Sequence, residues 1–343
     1  MGKSGEWSAK GVVVRIRHVT DETVVDVGPE NIGKTVASGD GLVWVDFDHT
    51  DESGMAMLPD LFDVHPADVA DCRIRTPVPK AHRYRDHHYT AINGLARGAD
   101  DRLYFVPLKV FQHPGLVVTV LGPTSTALPD NAARTELALV QERIDADGFR
   151  PTTSLQLITG IRRAMMATLE TLVGEAAGRI ADFEKRCSAT DAVTSERLLD
   201  ELFAMRHDLQ TIRTSAAQAF QTYTGLLESS EEDGLLGIDE RRVRDLRQGF
   251  GQLVQTVDLE REYLQEMIDL FQTRVSTELN RFVRKVTAWG TVGLAWTVIT
   301  GFYGMNVVGI PGLESPWGFP AIVASMIVIG AVLALLFRRH GWL

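Results

Sequence analysis

The sequence predicts an α+β domain followed by long helices and two membrane-spanning helices at the C-terminal end. Three observations support this fold class. Residues 11–121 alternate short β-rich runs with turn residues, residues after 151 carry apolar side chains at heptad-like spacing, and two late stretches, 286–303 and 320–337, contain no charged side chain. Each of these uncharged stretches, built as helix, is about 27 Å long, which is close to the hydrocarbon core of a bilayer.

The predicted α+β or α/β domain occupies residues 1–150. Strands are expected where β-branched and aromatic residues lie between turn residues, at 12–16, 23–27, 42–47, 89–95, 102–108 and 116–121. Helices are expected at 58–70 and 131–145. Strands and helices that share one segment of this length predict a domain with its own hydrophobic core.

Residues 151–285 are predicted to form a helical stalk. Three apolar stripes begin near Ile158, Leu198 and Ile238, and most of their side chains are expected to pack against neighbouring helices. No proline or glycine pair interrupts the third stripe after Gly251. It therefore predicts one continuous helix from residue 238 to residue 303, roughly 100 Å long.

The charge distribution indicates how the chain is oriented in a membrane. Basic residues precede the first uncharged stretch at Arg281, Arg284 and Lys285 and follow the second at Arg338 and Arg339, whereas the loop 304–319 has none. The positive-inside rule then places both termini in the cytoplasm, including the tail 338–343. A formal net charge of −10 argues against a nucleic-acid partner and suits a protein that attracts cations.

The first uncharged stretch is richer in small and polar residues than a simple membrane anchor. Read at heptad spacing, these and a few apolar residues fall on one face of the helix. The face comprises Asn280, Val283, Val286, Thr287, Gly290, Leu294, Thr297, Gly301 and Gly304. Two interpretations remain open from the residues alone, because small side chains allow close helix packing and polar ones can line a water-filled path.

The end of this stretch resembles a known family. It reads Tyr303-Gly304-Met305-Asn306, before a short loop and a final apolar stretch, and this arrangement is similar to the CorA family of divalent-cation channels. Further similarity lies upstream, in His65-Pro66, Asp71, Pro79-Lys80, Arg244-Asp245 and Asn280. The likeness covers most of the chain.

The resemblance implies a homopentameric, funnel-shaped channel in the inner membrane that lets Mg²⁺, and also Co²⁺ or Ni²⁺, enter passively. Gly304, Met305 and Asn306 would form the selectivity filter, and the face that begins at Asn280 would line the pore. Asp71 and Asp245 would bind regulatory Mg²⁺ between subunits. The first span lacks the family's frequent proline, and Gly309-Ile310-Pro311-Gly312-Leu313-Glu314 is closer to the zinc-transporting branch.

Two alternatives to this channel stay open, and the departures bear on the first of them. One is a Zn²⁺ transporter of the same fold, with or without proton coupling. The other belongs to a different class, a membrane-anchored sensor that does not conduct ions. No pairing of a nucleophile with a base is evident in the sequence, so an enzyme is not expected.

Three other patterns are interpreted as coincidental or structural. Residues 28–35 match the phosphate-binding string Gly-x-x-x-x-Gly-Lys-Thr, but glycines at 39 and 41 should end the helix that such a loop needs. The cluster of His82, His87 and His88 with Asp86 is predicted to be an exposed polar turn. Cys72 and Cys187 lack the spacing of metal ligands and are expected to be ordinary thiols.

Overall fold

A computed structural model describes residues 14–75, 79–189, 195–233, 240–305 and 315–342. The chain divides into two compact units. The first contains the described residues of Met1–Arg186 and Glu196–Leu264, and the second those of Cys187–Ser195 and Gln265–Leu343.

Strands of the first unit form one sheet, which has seven members among the described residues. They are β1 (Arg15–Val19), β2 (Val24–Asp26), β3 (Leu42–Asp48), β4 (Lys80–Arg83), β5 (His88–Arg97), β6 (Leu103–His113) and β7 (Leu116–Leu121). Their spatial order is β2-β1-β3-β7-β6-β5-β4. Only the β3–β7 pair in this sheet is parallel, and the other neighbours run antiparallel.

Helices cover both faces of the sheet and then continue as long rods. They are α1 (Ile32–Ala37), α2 (Glu52–Leu61), α3 (Pro66–Cys72), α4 (Asp130–Ala133), α5 (Thr135–Asp145), α6 (Ser154–Ala189), α7 (Ser195–Asp233), α8 (Glu240–Tyr303) and α9 (Gly318–Arg339). A short 3₁₀ helix at Pro29–Asn31 precedes α1. The 64 residues of α8 form one helix, as predicted, and residue 238 lies outside the described residues.

The sheet has hydrophobic core on each of its faces, because successive side chains of a strand point to opposite faces. On β3, Val43, Val45 and Phe47 join the core beneath α2 and α3. The alternate residues Leu42 and Trp44 join the core beneath α5 and the start of α6. A strand buried on both faces explains why the 42–47 run is almost continuously apolar.

The helix predicted at residues 58–70 is wrong in its bounds, because two helices occupy this region. Phe62 is extended at φ −140° and ends α2. Pro66 is the first residue of α3, and a residue that precedes proline avoids helical geometry. His65 is accordingly extended, and its Nδ1 accepts a hydrogen bond from the backbone N–H of Ala67 at 3.2 Å. Pro66 therefore starts a second helix.

The long helices of the first unit pack closely on one another. The Tyr223 ring stacks on Phe250 at 6.0 Å between centroids, and Arg213 of α7 pairs with Asp258 of α8 at 2.6 Å. The buried carboxylate of Asp208 accepts hydrogen bonds from Arg97 of β5 at 3.0 Å. These contacts hold the helices to one another and to the sheet.

Candidate functional site on the C-terminal helices

Within the second unit, α8 has one face packed against α9 and one face free. Ala288 is 0% exposed and Val292 is 5% exposed. One turn further along the same face, the indole N–H of Trp296 donates to the backbone carbonyl of Met326 at 2.9 Å. At 3.6 residues per turn, the face that contains Ala288 and Val292 is nearly opposite the face that begins at Asn280.

The residues predicted to line a pore all lie on the free face. The described residues of this predicted set are exposed, namely Asn280, Val283, Val286, Thr287, Gly290, Leu294, Thr297, Gly301, Gly304 and Met305. Leu294 has the largest exposed fraction among its apolar members, at 65%. A single chain thus leaves this face uncovered by its own α9.

The threonine hydroxyls of this face are oriented by the helix itself. The hydroxyl of Thr287 donates to the carbonyl of Val283 at 2.8 Å, and the hydroxyl of Thr297 donates to the carbonyl of Gly293 at 2.9 Å. Each hydroxyl has a single proton, so its remaining lone pairs point away from the helix. The face therefore offers oxygen acceptors, which are the groups that attract a hard cation or its bound water.

The predicted filter begins where α8 ends. The Gly304 backbone N–H donates to the carbonyl of Thr300 at 2.9 Å, so the helical hydrogen-bond pattern continues to this residue. Asn306 and the loop from Gly309 to Glu314 lie outside the described residues. The filter prediction for Gly304, Met305 and Asn306 therefore stays a prediction.

One helix in the described part of the chain, α9, is long and apolar enough to cross a membrane. Its 22 residues include a window with mean hydropathy of 2.6, of which 6% is buried. The stretch 286–303 is less apolar because threonine, glycine and tryptophan interrupt its valines and leucines. The α9 helix ends at Arg339, and Gly341 follows at φ +71°, a conformation that favours glycine.

Asp71, one of the two predicted regulatory ligands, is buried inside the first unit and engaged with cations. Its carboxylate accepts hydrogen bonds from Lys80 at 2.6 Å, from Tyr89 at 2.6 Å and from Lys109 at 2.9 Å. The Lys109 side chain is completely buried. Two ammonium groups thus already occupy the positions in which a regulatory cation would neutralise Asp71.

The electrostatics of Asp71 agree with this arrangement. Burial alone would raise the pKa of its carboxyl, but the hydrogen bonds from Lys80, Tyr89 and Lys109 outweigh burial and hold the pKa below its usual range. The neighbouring Cys72 is buried and donates to the carbonyl of Asp68 at 3.3 Å, and burial raises the pKa of the Cys72 thiol to about 12. At neutral pH Asp71 is therefore an anion and Cys72 a neutral thiol, as expected for an ordinary buried cysteine.

Asp245, the other predicted ligand, lies on α8 in the first unit and is exposed. Its neighbour Arg244 points to Glu240, at 3.4 Å, rather than to Asp245. An exposed carboxylate on a long helix can be reached by a cation or by another chain. The carboxylate of Asp245 is therefore accessible to a cation, whereas that of Asp71 is already bound by two lysines.

The prediction that the histidine cluster forms an exposed polar turn is only partly confirmed. His88 is exposed as expected, whereas His87 is buried and not part of an exposed turn. The His87 ring stacks on Tyr84 at 4.7 Å, and its Nδ1 lies 2.8 Å from Asp86. The described residues contain no group of three or more His, Cys, Asp or Glu side chains that could hold a metal ion.

The phosphate-binding string at residues 28–35 does not open a helix of useful length. Lys34 is the third residue of the six-residue α1, and Gly39 follows the helix at φ +70°. A phosphate cradle requires the lysine and threonine at the first turn of a longer helix. The structure therefore agrees with a coincidental match.

Three features of the structure have no clear signal in the sequence. Lys109 looks like a solvent-facing lysine within a strand, and only its buried neighbours reveal its role as a partner of Asp71. Trp296 and Gly330 are 34 positions apart in the chain and meet only when α8 and α9 pack together. Glu136 is a buried carboxyl in a helix that otherwise looks amphipathic.

Comparisons with known proteins cover most of this chain. The family described as "CorA-like Mg2+ transporter protein" matches residues 39–339. The cobalt/magnesium transport protein CorA of Thermotoga maritima is 31% identical over 100 residues, which are 29% of this chain and 28% of that protein. The zinc transport protein ZntB of Pectobacterium atrosepticum is 22% identical over 260 residues, which are 74% of this chain and 76% of that protein.

A solved structure has a similar fold. The complete structure of the CorA magnesium transporter from Methanocaldococcus jannaschii matches with a TM-score of 0.79 at 17% identity, over 98% of this chain and 100% of that one. This likeness confirms the predicted architecture of an α/β domain, long helices and a C-terminal apolar helix. At this identity the likeness concerns the fold alone.

Proposed function

The chain belongs to the CorA-like Mg²⁺ transporter family, and we propose that it forms a passive influx channel for divalent cations with Mg²⁺ as its main substrate. One observation carries this proposal. The free face of α8 is lined by hydroxyl oxygens and small residues, while the opposite face of the same helix packs against α9. A helix with this division suits a position around a central path.

In the proposed ion path, neutral oxygen groups would bind and release the cation. Mg²⁺ gives up its bound water reluctantly, so a ring of neutral acceptors can hold the hydrated ion and still release it. Asn306 amides and Gly304 carbonyls would form this ring at the outer mouth, and Thr297 hydroxyls would form a second ring. Asn280 would supply amide groups at the inner mouth.

Apolar side chains on the same face would form the gate. Leu294, Val286 and Val283 are all more than half exposed in the single chain. Rings of such residues around a narrow path can exclude water and block ions when the path contracts. Gating would then depend on small rotations or shifts of α8.

Several copies are required because one chain's two helices cannot enclose a path. We propose a funnel-shaped homopentamer in which residues 286–303 are a first span and 320–337 a second, with both termini in the cytoplasm. Support comes from large exposed side chains on both helices, among them Trp289, Phe302, Ile327 and Leu335. Apolar surface of this extent needs lipid or further copies of the chain to cover it.

Regulation by cytoplasmic Mg²⁺ is proposed to act at Asp245. An exposed carboxylate that faces another chain would be repelled by its counterpart when empty and bridged when an ion binds. Asp71 could join such a site only if Lys80 and Lys109 released it. The predicted pair of ligands is therefore unequal, and Asp245 is the stronger candidate.

The test of the proposal is Asn306→Ala in the full-length protein in liposomes. Mg²⁺ uptake should fall to background while oligomer size and thermal midpoint stay unchanged, because a neutral loop amide contributes little to folding. Asn131→Ala is the matched control, since Asn131 is an exposed asparagine at the start of α4, in the first unit. Undiminished uptake in the Asn306 variant would contradict the proposed filter.

Measurements of metal uptake distinguish the channel from a Zn²⁺ transporter and from a sensor that does not conduct ions. A Zn²⁺ transporter is favoured by the relative named ZntB and by the loop that carries a single acidic residue, Glu314. A sensor that does not conduct would show no metal uptake in either the parent chain or the Asn306 variant. Metal-specific uptake measurements therefore separate all three functions.

A further inference from the structure

A tryptophan clamp joins α8 to α9 at the centre of the apolar region. Besides the hydrogen bond to Met326, the Trp296 ring lies directly over Gly330. A Cβ atom at Gly330 would come within 3.1 Å of ring carbon Cζ2 and 3.2 Å of Nε1. Gly330 is buried, and the ring leaves little space for a larger side chain at this position.

The clamp constrains both the distance between α8 and α9 and the rotation of α8 about its own axis. An indole N–H in an apolar layer needs an acceptor, and in this structure the acceptor is a backbone carbonyl that cannot move without moving α9. Contact with Gly330 fixes how closely the two helices approach. A flat ring that makes both contacts restricts the rotation of α8 about its axis.

The rotation matters because Leu294 lies almost opposite Trp296. Two residues correspond to about 200° around a helix of 3.6 residues per turn, so the side chain of Leu294 points away from α9 when Trp296 points toward it. Leu294 is 65% exposed, in agreement with this geometry. Rotation of α8 would replace Leu294 with a neighbouring side chain on the free face.

We infer that Trp296 is a positioning residue that sets the rotation of α8 against α9 and thereby presents Leu294 to the ion path. This inference rests on the proposed function. Trp296 acts through the helix and does not touch the ion. Gly330 is its partner, because a Cβ at this position would crowd the ring.

The experiment measures which residues of α8 face water. In the full-length protein with Cys72→Ala and Cys187→Ser, single cysteines replace Leu294, Ala295 or Val298, and a membrane-impermeant thiol reagent is applied to liposomes. We then add Trp296→Phe, which removes the N–H, or Gly330→Ala, which pushes the ring away. Labelling at position 294 should fall about threefold, which corresponds to an interhelical hydrogen bond of ~0.6 kcal/mol, while labelling at 295 or 298 rises.

Two controls separate positioning from general damage. Trp289→Phe removes an indole that is 63% exposed, and Gly293→Ala adds a Cβ with no atom within 4 Å in the single chain. Both should leave the labelling pattern unchanged. The double variant Trp296→Phe with Gly330→Ala should label at position 294 no less than Trp296→Phe alone, because the smaller ring leaves space for the added methyl group and the two changes act on one contact.

Every outcome bears on the inference. An unchanged pattern in both clamp variants overturns it, and so does a uniform loss of labelling at all three positions, which indicates a merely structural role. If the cysteine at 294 is not labelled even with Trp296 and Gly330 intact, the proposed ion path itself is contradicted, and the inference falls with it. A shift between positions in the clamp variants alone supports the inference.

Discussion

At the scale of single residues, Asp71 stabilises the folded protein through a buried ion pair. Its carboxylate neutralises Lys109, an ammonium group with no exposed surface. Breaking a buried ion pair by removing one partner leaves the other charge without compensation, which is much more costly than losing an exposed pair. We therefore assign Asp71 primarily to the stability of the sheet and α3.

Replacing Asp71 with asparagine should destabilise the protein by about 3–5 kcal/mol, because Lys109 would be left charged and buried. Chemical unfolding of the full-length protein in detergent, followed by tryptophan fluorescence, measures this change. The exposed Asp245→Asn should change stability by no more than about 0.5 kcal/mol. Adding Lys109→Met to Asp71→Asn should recover most of the loss, and an undiminished loss in the double variant would contradict the ion-pair explanation.

Glu136 is a buried carboxyl of a different kind, because no cation among the described residues compensates it. Burial raises its pKa to about 7, and the backbone amides of Glu136 and Leu95 only partly oppose the shift. Its Oε1 is buried and has no hydrogen-bond partner in the part of the chain that the structure describes. Arg134, the basic residue nearest in sequence, is engaged with Asp46 at 2.8 Å.

This raised pKa predicts a pH dependence of stability. The folded protein holds the Glu136 proton more tightly than the unfolded chain, whose pKa stays near the ordinary 4.5. The stabilising contribution is therefore complete below pH 4.5 and is lost as the pH rises through about 7, by an amount on the order of 3 kcal/mol. The measurement is the unfolding free energy between pH 5 and pH 8.

The matched variant is Glu136→Gln, which is neutral at every pH and similar in size. It should remove this part of the pH dependence and leave the protein more stable than the parent at pH 8. Glu142→Gln on the same helix is the control, since Glu142 is exposed. If the Glu136→Gln profile follows that of the parent, another group titrates in this range.

At the scale of elements, periodicity predicted helices and strands well where packing follows the pattern. The β3 run and the uninterrupted α8 are observed as predicted, apart from shifts at their ends. Errors arose where local chemistry interrupts a pattern. The α2–α3 break depends on Pro66 and on capping by His65, and these local signals were outweighed by apolar spacing.

The candidate site was predictable only in part, for a physical reason. A face of a helix can be deduced from spacing alone, which is why the stripe from Asn280 to Gly304 was found. Contacts between distant segments cannot be deduced in this way. The buried state of His87, the pairing of Lys109 with Asp71 and the contact of Trp296 with Gly330 each depend on how elements pack.

Close packing among the long helices makes a further prediction. A Cβ at Gly251 of α8 would lie 3.1 Å from the Phe220 ring of α7, whereas a Cβ at Gly225 meets no atom within 4 Å. Gly251→Leu should destabilise the first unit by about 1–3 kcal/mol through overpacking. Gly225→Ala should stabilise it by about 0.5–1 kcal/mol, because alanine favours a helix interior more than glycine does.

Denaturation midpoints of the full-length protein measure both changes under the same conditions. Both sites are helical glycines and both variants gain helix propensity, so a net loss of stability at Gly251 reports the crowding of the Phe220 ring. Equal changes in unfolding free energy at the two sites would contradict close packing of α7 and α8 around Gly251. A stabilised Gly251→Leu variant would contradict it as well.

At the scale of the whole molecule, the two units differ in where their large apolar side chains lie. The first unit buries large apolar side chains in cores on both faces of the sheet. The helices of the second unit leave tryptophan, phenylalanine and leucine side chains exposed. A net charge of −10 attracts cations to the protein. In the proposed channel, neutral oxygen groups on α8 would avoid binding them too tightly.

A passive channel should follow the membrane potential. An inside-negative potential of 100 mV stabilises a divalent ion by about 4.6 kcal/mol, which corresponds to roughly a 10³-fold accumulation at equilibrium. Liposomes that contain the full-length protein should therefore take up Mg²⁺ when a potassium diffusion potential is imposed. At zero potential and equal ion concentrations, a pH gradient alone should produce no net uptake.

The same liposomes distinguish the channel from a proton-coupled zinc transporter. Zn²⁺ uptake driven by a pH gradient at zero potential would contradict a passive channel, because no passive path can use the energy of a proton gradient to move another ion. Asn306→Ala liposomes are the control for leak through the lipid. Because the driving force is fixed by charge alone, Mg²⁺ and Zn²⁺ should reach the same equilibrium ratio in a channel, and only their rates should report selectivity.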